Sequence, residues 1–219
     1  LAAIATVADV VPLRGANRVL VRAGLAALGR APISGLRALV DRAGLKVGRV
    51  TSSDIGFVIG PRLNAAGRIA DADEALRLLL TEDAEEAKTL ADHLEERNVE
   101  RQRLTAEVVK SARERATERP DAWATVVADA TWPAGIVGLA ASRLVEDHGR
   151  PAVVIAIDGS EGKGSCRSIT AVHIAEALGE CDDLLVKHGG HAMAAGFIIA
   201  AEKIDAFAER LGDVVRQRL

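Results

Sequence analysis

The chain has 219 residues, 49% of them hydrophobic and 27% charged, a globular composition with a sizeable core and room for one large domain or two small ones. A net charge of −3 excludes a globally basic nucleic-acid binder, so any such contact has to come from a local patch. Aromatics at 2%, with no Tyr, require an aliphatic core and argue against the stacking platform of many single-strand binders. No apolar run approaches the ~20 residues of a membrane span, and no secretory signal is visible. Cys166 and Cys181 have no metal-ligand spacing and do not make a disulfide framework, so a reducing cytoplasm is the expected setting. The chain opens at Leu1, without Met, on the apolar run LAAIATVADVV, as expected of a piece of a longer protein.

Residues 1 to about 70 are apolar, glycine-punctuated and broken at Pro12, Pro32 and Pro61. Helical periodicity is expected near Arg18–Leu28 and over Ser34–Ala43, with Gly44 as the stop. Residues 72–118 contain neither Gly nor Pro, and their spacing predicts a long helix over 84–117, spanning roughly 50 Å at ~1.5 Å per residue. Asp83 and Glu86 form its expected capping box, and Pro120 ends it. Its middle, EERNVERQR at 95–103, is polar on nearly every face, which favours a connector crossing solvent between domains over a coiled-coil arm.

From Trp123 the pattern changes to strand–helix alternation. TVVADA (125–130) and PAVVIAI (151–157) read as buried strands around a helix over Gly135–Asp147, a βαβ unit with a parallel pair. GKGSCRSI (162–169) predicts a further strand, His173–Leu178 a short helix, GFIIA (196–200) a strand, and Ile204–Arg216 a closing amphipathic helix. The expected fold is α/β: two lobes joined by a long helix, the C-terminal lobe carrying a mixed, largely parallel sheet flanked by helices.

Several segments carry candidate chemistry. Asp9 lies inside the apolar ATVADVVPL, where a bare buried carboxylate would be expensive, so it caps a turn, pairs with an arginine or binds a cation. GPRLNAAGR (60–68) places Arg62, Asn64 and Arg68 around a small-residue turn, a set suited to bidentate phosphate or carboxylate recognition or, equally, to capping helix ends. Arg167 and Ser168 follow a glycine-flanked strand, and strand ends in open α/β sheets are where ligands bind. Gly189-Gly190-His191, followed by Ala194-Ala195-Gly196, reads as a sharp turn whose His191 opens a short helical turn. Either it is a packed glycine turn, or its N–H groups and His191 form an anion site. His93 and His148 are read as solvated, His173 as a helix-start residue and His188 as a neighbour of the glycine turn; no HExxH or CxxC pattern exists.

The segments ATVADVVPL, IGFVIGPRLNAAGR, WPAGIVGLAASRLVEDHGRPAVVIA, GSCRSI and GGHAMAAGF, in this order, resemble the RecJ family, single-strand-specific exonucleases of the DHH phosphoesterase superfamily. The resemblance covers nearly the whole chain. It implies that residues 1–70 are the C-terminal part of a DHH catalytic domain, 71–119 connector helices and 120–219 a DHH-associated nucleic-acid-binding domain, the lobes forming a cleft. On this basis Asp9 matches a metal ligand, and Arg62, Asn64 and Arg68 match a motif lining the catalytic cleft. Arg167, Ser168, Gly189, Gly190 and His191 match the residues that grip substrate phosphate.

The implied activity is 5′-to-3′ exonucleolytic hydrolysis of single-stranded DNA in repair and recombination, by a two-metal Mn²⁺ or Mg²⁺ centre with most ligands outside this chain. A monomer is expected, with a single-strand-binding protein or a helicase as partner of the parent and no membrane. Two other readings stand beside this one: a non-catalytic nucleic-acid or partner-binding module, and an oligonucleotide or cyclic-dinucleotide phosphodiesterase of the same superfamily. The chain departs from the pattern at Pro133, where many relatives carry His, and it lacks the aspartate-rich and DHH motifs and the C-terminal OB-fold.

Overall fold

The computed structural model describes residues 1–30, 33–69 and 71–219, so Pro32 lies outside it. These residues fall into two compact units, Leu1–Gln102 and Arg103–Leu219.

The first unit is helical: α1 (Ala2–Ala8), α2 (Gly15–Arg30), α3 (Ser34–Arg42), the short α4 (Ser52–Asp54), a π turn (Ile55–Ile59), α5 (Gly60–Ile69), α6 (Asp73–Leu80) and the start of α7 (Ala84–Ala116). Its core is aliphatic, as the composition requires, built from residues such as Leu39, Val40, Ile55, Ile59, Leu78 and Leu94. A Cβ on Gly35 of α3 would stand 1.6 Å from the Leu78 carbonyl oxygen of α6, so glycine alone permits this approach of two backbones. Helix α3 stops where expected, at Gly44 with φ 71°.

The expected turn at 60–68 is instead a helix. The chain is helical without interruption from Ser52 to Ile69, started by a capping box between Thr51 and Asp54. Pro61 does not break it, because the wider π turn just before relieves the clash a proline ring makes with the carbonyl four residues back. At the start of α7, Asp83 accepts from the backbone N–H groups of Glu85 and Glu86. The other half of the expected capping box is absent: the Glu86 carboxylate takes Thr81 and Arg77, and Thr81 receives the Asp83 N–H.

Helix α1 ends in a Schellman turn, with Val11 N–H donating to the Thr6 carbonyl and Val10 N–H to that of Val7. The left-handed position usual for glycine there is held by Val10, at φ 55° and 85% exposed. A left-handed L-residue costs about 1–2 kcal/mol and the exposed side chain returns little packing, so Val10→Gly should stabilise the unit by about 1 kcal/mol. Urea unfolding checks this as a raised midpoint at unchanged slope; an unaltered midpoint would mean that the turn bears no strain.

The second unit holds the rest of α7 and a five-stranded sheet. Its elements are β1 (Thr125–Asp129), α8 (Val137–His148), β2 (Ala152–Asp158), β3 (Glu161–Arg167), α9 (Ile174–Gly179), β4 (Leu185–Gly190), β5 (Ala194–Ala200) and α10 (Ile204–Arg216). The strand order is β1-β2-β3-β5-β4. The sheet is mixed, but β1–β2 is its one parallel pair and the other three pairings are antiparallel, so it is less parallel than expected. One face packs on α9 and α10, where Phe197 meets Phe207 at 4.8 Å.

The segment around the glycine pair also differs from expectation. Residues 185–200 form a hairpin, β4 to β5, and His191 stands in its connection rather than at a helix start. The run of small residues that suggested a helical turn alternates buried and half-buried positions as a strand does, because β3 on its other side supplies the partner.

Candidate nucleic-acid interface

In the first unit, Asp9 is the C-terminal cap residue of α1 by position, but its carboxylate is exposed and makes no hydrogen bond or ion pair among the described residues. Burial and arginine pairing, two of the expectations for it, are therefore not met. A carboxylate at a helix C-terminus also sits against the helix dipole. Asp9 and Asn64 line one open hollow of about 540 Å³, with Gly60 and Leu63 of α5 and Leu76 and Leu79 of α6.

Helix geometry separates the three α5 residues. Asn64 and Arg68, one turn apart, share the exposed side, whereas Arg62 projects about 200° away from Asn64. The Arg62 guanidinium takes Glu95 of α7 with two donors, Nε at 2.5 Å and Nη2 at 3.2 Å, and gives a third to the Val58 carbonyl at 2.8 Å. Both side chains are about 85% covered, at 15% and 14% exposure. Asn98, 1% exposed, accepts from Arg101 at 2.9 Å. Burial first, then the charges of Arg68 and Arg62, hold the Arg101 guanidinium below its usual pKa.

The stretch 95–103 is thus not solvated all round. On one face Asn98 is buried and Glu95 and Arg101 are half-buried, which is tolerable because Glu95 meets Arg62 and Asn98 meets Arg101. Glu95 and Asn98 are residues that sequence reasoning missed, since periodicity counts a polar residue as outward-facing.

Among the described residues no three His, Cys, Asp or Glu side chains come together to hold a metal ion. One carboxylate falls far short of the six or so oxygen ligands of each divalent ion, so these residues do not by themselves fit a two-metal centre.

In the second unit, Arg167 ends β3 and folds back along the strand. Its Nη1 donates to Ser165 Oγ at 3.1 Å and to the Cys166 carbonyl at 2.8 Å. A Cβ on Gly138, in the first turn of α8, would lie 2.9 Å from Ser165 Oγ and 3.1 Å from Arg167 Nη2. Gly138 therefore makes the space in which the guanidinium crosses the start of that helix. Ser165 is the hydroxyl beside the cation, and the sequence reading missed it. Ser168, which that reading singled out, is buried and spends its proton on the Val172 carbonyl at 2.7 Å, tying the loop after β3.

The two glycines of the hairpin differ. A Cβ on Gly190, at φ 152°, would stand 2.4 Å from Ala195 Cα and 2.5 Å from the Ala194 oxygen, whereas one on Gly189 would meet nothing. The His191 backbone closes on Ala194 at 2.8 Å while its ring is exposed. His188 lies 3.1 Å from Asp182, and His173 caps α9 by accepting from the Glu176 N–H. Burial pushes both thiols up, Cys181 to about 11, which leaves neither cysteine a nucleophile.

Residues 121–217, the sheet with its helices, match the model of the DHHA1 domain, and this sets the class of the second unit. The chain as a whole is 42% identical to the single-stranded-DNA-specific exonuclease RecJ of Bacillus subtilis (strain 168), over 100% of this chain and 28% of that protein. It is 39% identical to RecJ of Thermus thermophilus, over 99% of this chain and 32% of that protein. The crystal structure of RecJ from Thermus thermophilus in complex with Mn²⁺ matches with a TM-score of 0.91 at 38% identity, covering 98% of this chain and 32% of that one. The corresponding complex with Mg²⁺ matches with a TM-score of 0.90. The chain belongs to the RecJ family, as a stretch of its C-terminal part. It spans 28% to 40% of the length of the curated relatives it matches.

Proposed function

We propose that this chain is part of a 5′-to-3′ single-stranded-DNA exonuclease of DNA repair and recombination, and that its second unit holds the strand by its phosphates. The observation that carries the reading is the similarity over the full chain to proteins named as single-stranded-DNA-specific exonucleases. In the proposed division, residues 1–70 close a catalytic domain, 71–119 connect, and 120–219 grip substrate. Asp9 contributes one carboxylate to a Mn²⁺ or Mg²⁺ centre whose other ligands the parent protein supplies. Its exposure, its lack of a partner and the strained Val10 beside it suit a residue kept for a ligand rather than for the fold.

Arg62, locked to Glu95, positions α5, while Asn64 faces the hollow that Asp9 lines and Arg68 stands on the same side of the helix. In the second unit Arg167, Ser165, His191 and the open backbone at Gly189 make the phosphate contacts, and Ser168 holds the loop that presents them. Base stacking has few candidates: Trp132, Phe197 and Phe207 are buried, and Trp123 and Phe57 alone among the aromatics are exposed.

Affinity of the chain for oligo-dT and for a mixed sequence, measured across salt concentrations, tests the grip. Each charged phosphate contact contributes about 0.7 to the slope of log K against log salt for single strands. Arg167→Ala should flatten the slope by about that amount and weaken both sequences alike. His191→Ala should weaken binding with less change of slope. An unchanged slope for Arg167→Ala, or a loss confined to one sequence, would place the grip elsewhere.

A further inference from the structure

The sheet face that carries Arg167 continues past the residues named so far. On β3 the even-numbered positions face the core: a Cβ on Gly162 would meet Ile155 and Ile199, and one on Gly164 the Phe197 ring. The odd-numbered positions, Lys163, Ser165 and Arg167, therefore share the opposite face. Strand register extends each across the sheet. Arg167 lies beside Ala194, Ser165 beside Gly196 and then Gly189, and Lys163 beside Ile198 and then Lys187. A bulge at Val186 is what turns Lys187, rather than its neighbour, onto this face.

Lys163 and Lys187 are exposed, and neither has a hydrogen bond or ion pair among the described residues. They flank the half-buried Ile198 about 10 Å apart, two strand spacings. From β3 to β4 no acidic side chain occupies these three rows; on the other side the Lys163 row runs through Ala156 to Asp129 of β1, two strands away, whose carboxylate is taken by Arg115 and Thr131. In a chain of net charge −3, this face gathers an arginine and two uncompensated lysines over a floor of Gly189, Ala194 and Gly196 that lets a ligand backbone lie close.

We propose that Lys163 and Lys187 form a second phosphate-binding row, which carries the single strand across β3, β5 and β4 beyond the Arg167 end. The proposal rests on the reading that this unit holds single-stranded nucleic acid by its phosphates. The partner is fixed by charge: an extended polyanion matches two lysines that no carboxylate pairs with, Asp129 at the far β1 end of the Lys163 row being taken by Arg115, and Ile198 between them leaves room for an apolar sugar face. The lysines lie two strand residues, about 7 Å, beyond the Ser165 row over which the guanidinium folds, so they meet a neighbouring phosphate rather than the one at Arg167.

The experiment measures oligo-dT affinity of the 219-residue chain over a range of salt for Lys163→Gln, Lys187→Gln, the double variant and Arg167→Ala. Lys110→Gln, an exposed lysine on α7 and off the sheet, controls for net charge. Each single lysine variant should flatten the slope by about 0.7 and the double by about 1.4, with Lys110→Gln unchanged. If Arg167→Ala flattens the slope and the double lysine variant does not, the second row is overturned while the phosphate grip stands. A chain whose binding is absent or insensitive to salt overturns both. A flattening by Lys110→Gln equal to that of the sheet lysines would show a net-charge effect and likewise overturn the row.

Discussion

Gly190→Ala should cost the second unit about 2–6 kcal/mol, the sum of overpacking at about 1–3 and backbone strain at about 1–3. The new methyl would press on Ala195 Cα and the Ala194 oxygen at 2.4 and 2.5 Å, and backbone atoms paired in a sheet cannot swing aside as a side-chain end does. Domains are stable by only about 5–15 kcal/mol, so the loss should leave the hairpin frayed or the unit marginal. Urea unfolding followed by circular dichroism reads it directly. Gly189→Ala is the matched control, since its methyl enters open space. It should unfold like the parent chain yet bind single-stranded DNA less tightly, because the methyl stands where a phosphate would approach the backbone. A Gly190→Ala chain as stable as the original would refute the hairpin geometry. A Gly189→Ala chain with undiminished affinity would reduce the glycine pair to packing.

In the full-length parent, Asp9→Asn should abolish turnover and leave DNA binding largely intact. The substitution keeps the shape and removes the charge that a divalent cation needs. The fold should not register it: the carboxylate has no partner among the described residues, and at the C-terminal end of α1 its charge opposes the helix dipole. In the 219-residue chain the unfolding midpoint should therefore stay put or rise slightly. That chain by itself should show no hydrolysis of labelled single-stranded DNA with Mn²⁺, since one carboxylate cannot hold such ions. Turnover that survives stringent purification would sink the role assigned to Asp9. So would a parent Asp9→Asn enzyme of near-normal rate.

Local signals carried much of this fold. Within the glycine- and proline-free run from 72 to 118 one long helix over 84–117 is predicted, because α-helical propensity and capping are properties of neighbouring residues, and α7 follows at Ala84–Ala116. The closing helix Ile204–Arg216 and the parallel β1–β2 pair were equally legible, from a 3.6-residue stripe and from two apolar runs around a helix. The family was legible too, because its motifs are short and contiguous.

Tertiary structure decided what depends on partners distant in the chain. Whether the small residues at 191–195 coil or extend turned on β3, some thirty residues earlier, which offered a strand to pair with. Whether Arg62 faces a ligand or the fold turned on Glu95, which no local pattern links to it. Ser165 rather than Ser168 stands beside Arg167 because alternation along β3 sends positions two apart to one face, and Gly138 of α8 clears the space above them. The register that sets Lys163 and Lys187 on either side of Ile198 exists only once β4 has bulged at Val186. Local sequence determines which elements form because their hydrogen bonds and periodicity are local; which side chains meet is decided by packing, where a single methyl or one residue of register changes the answer.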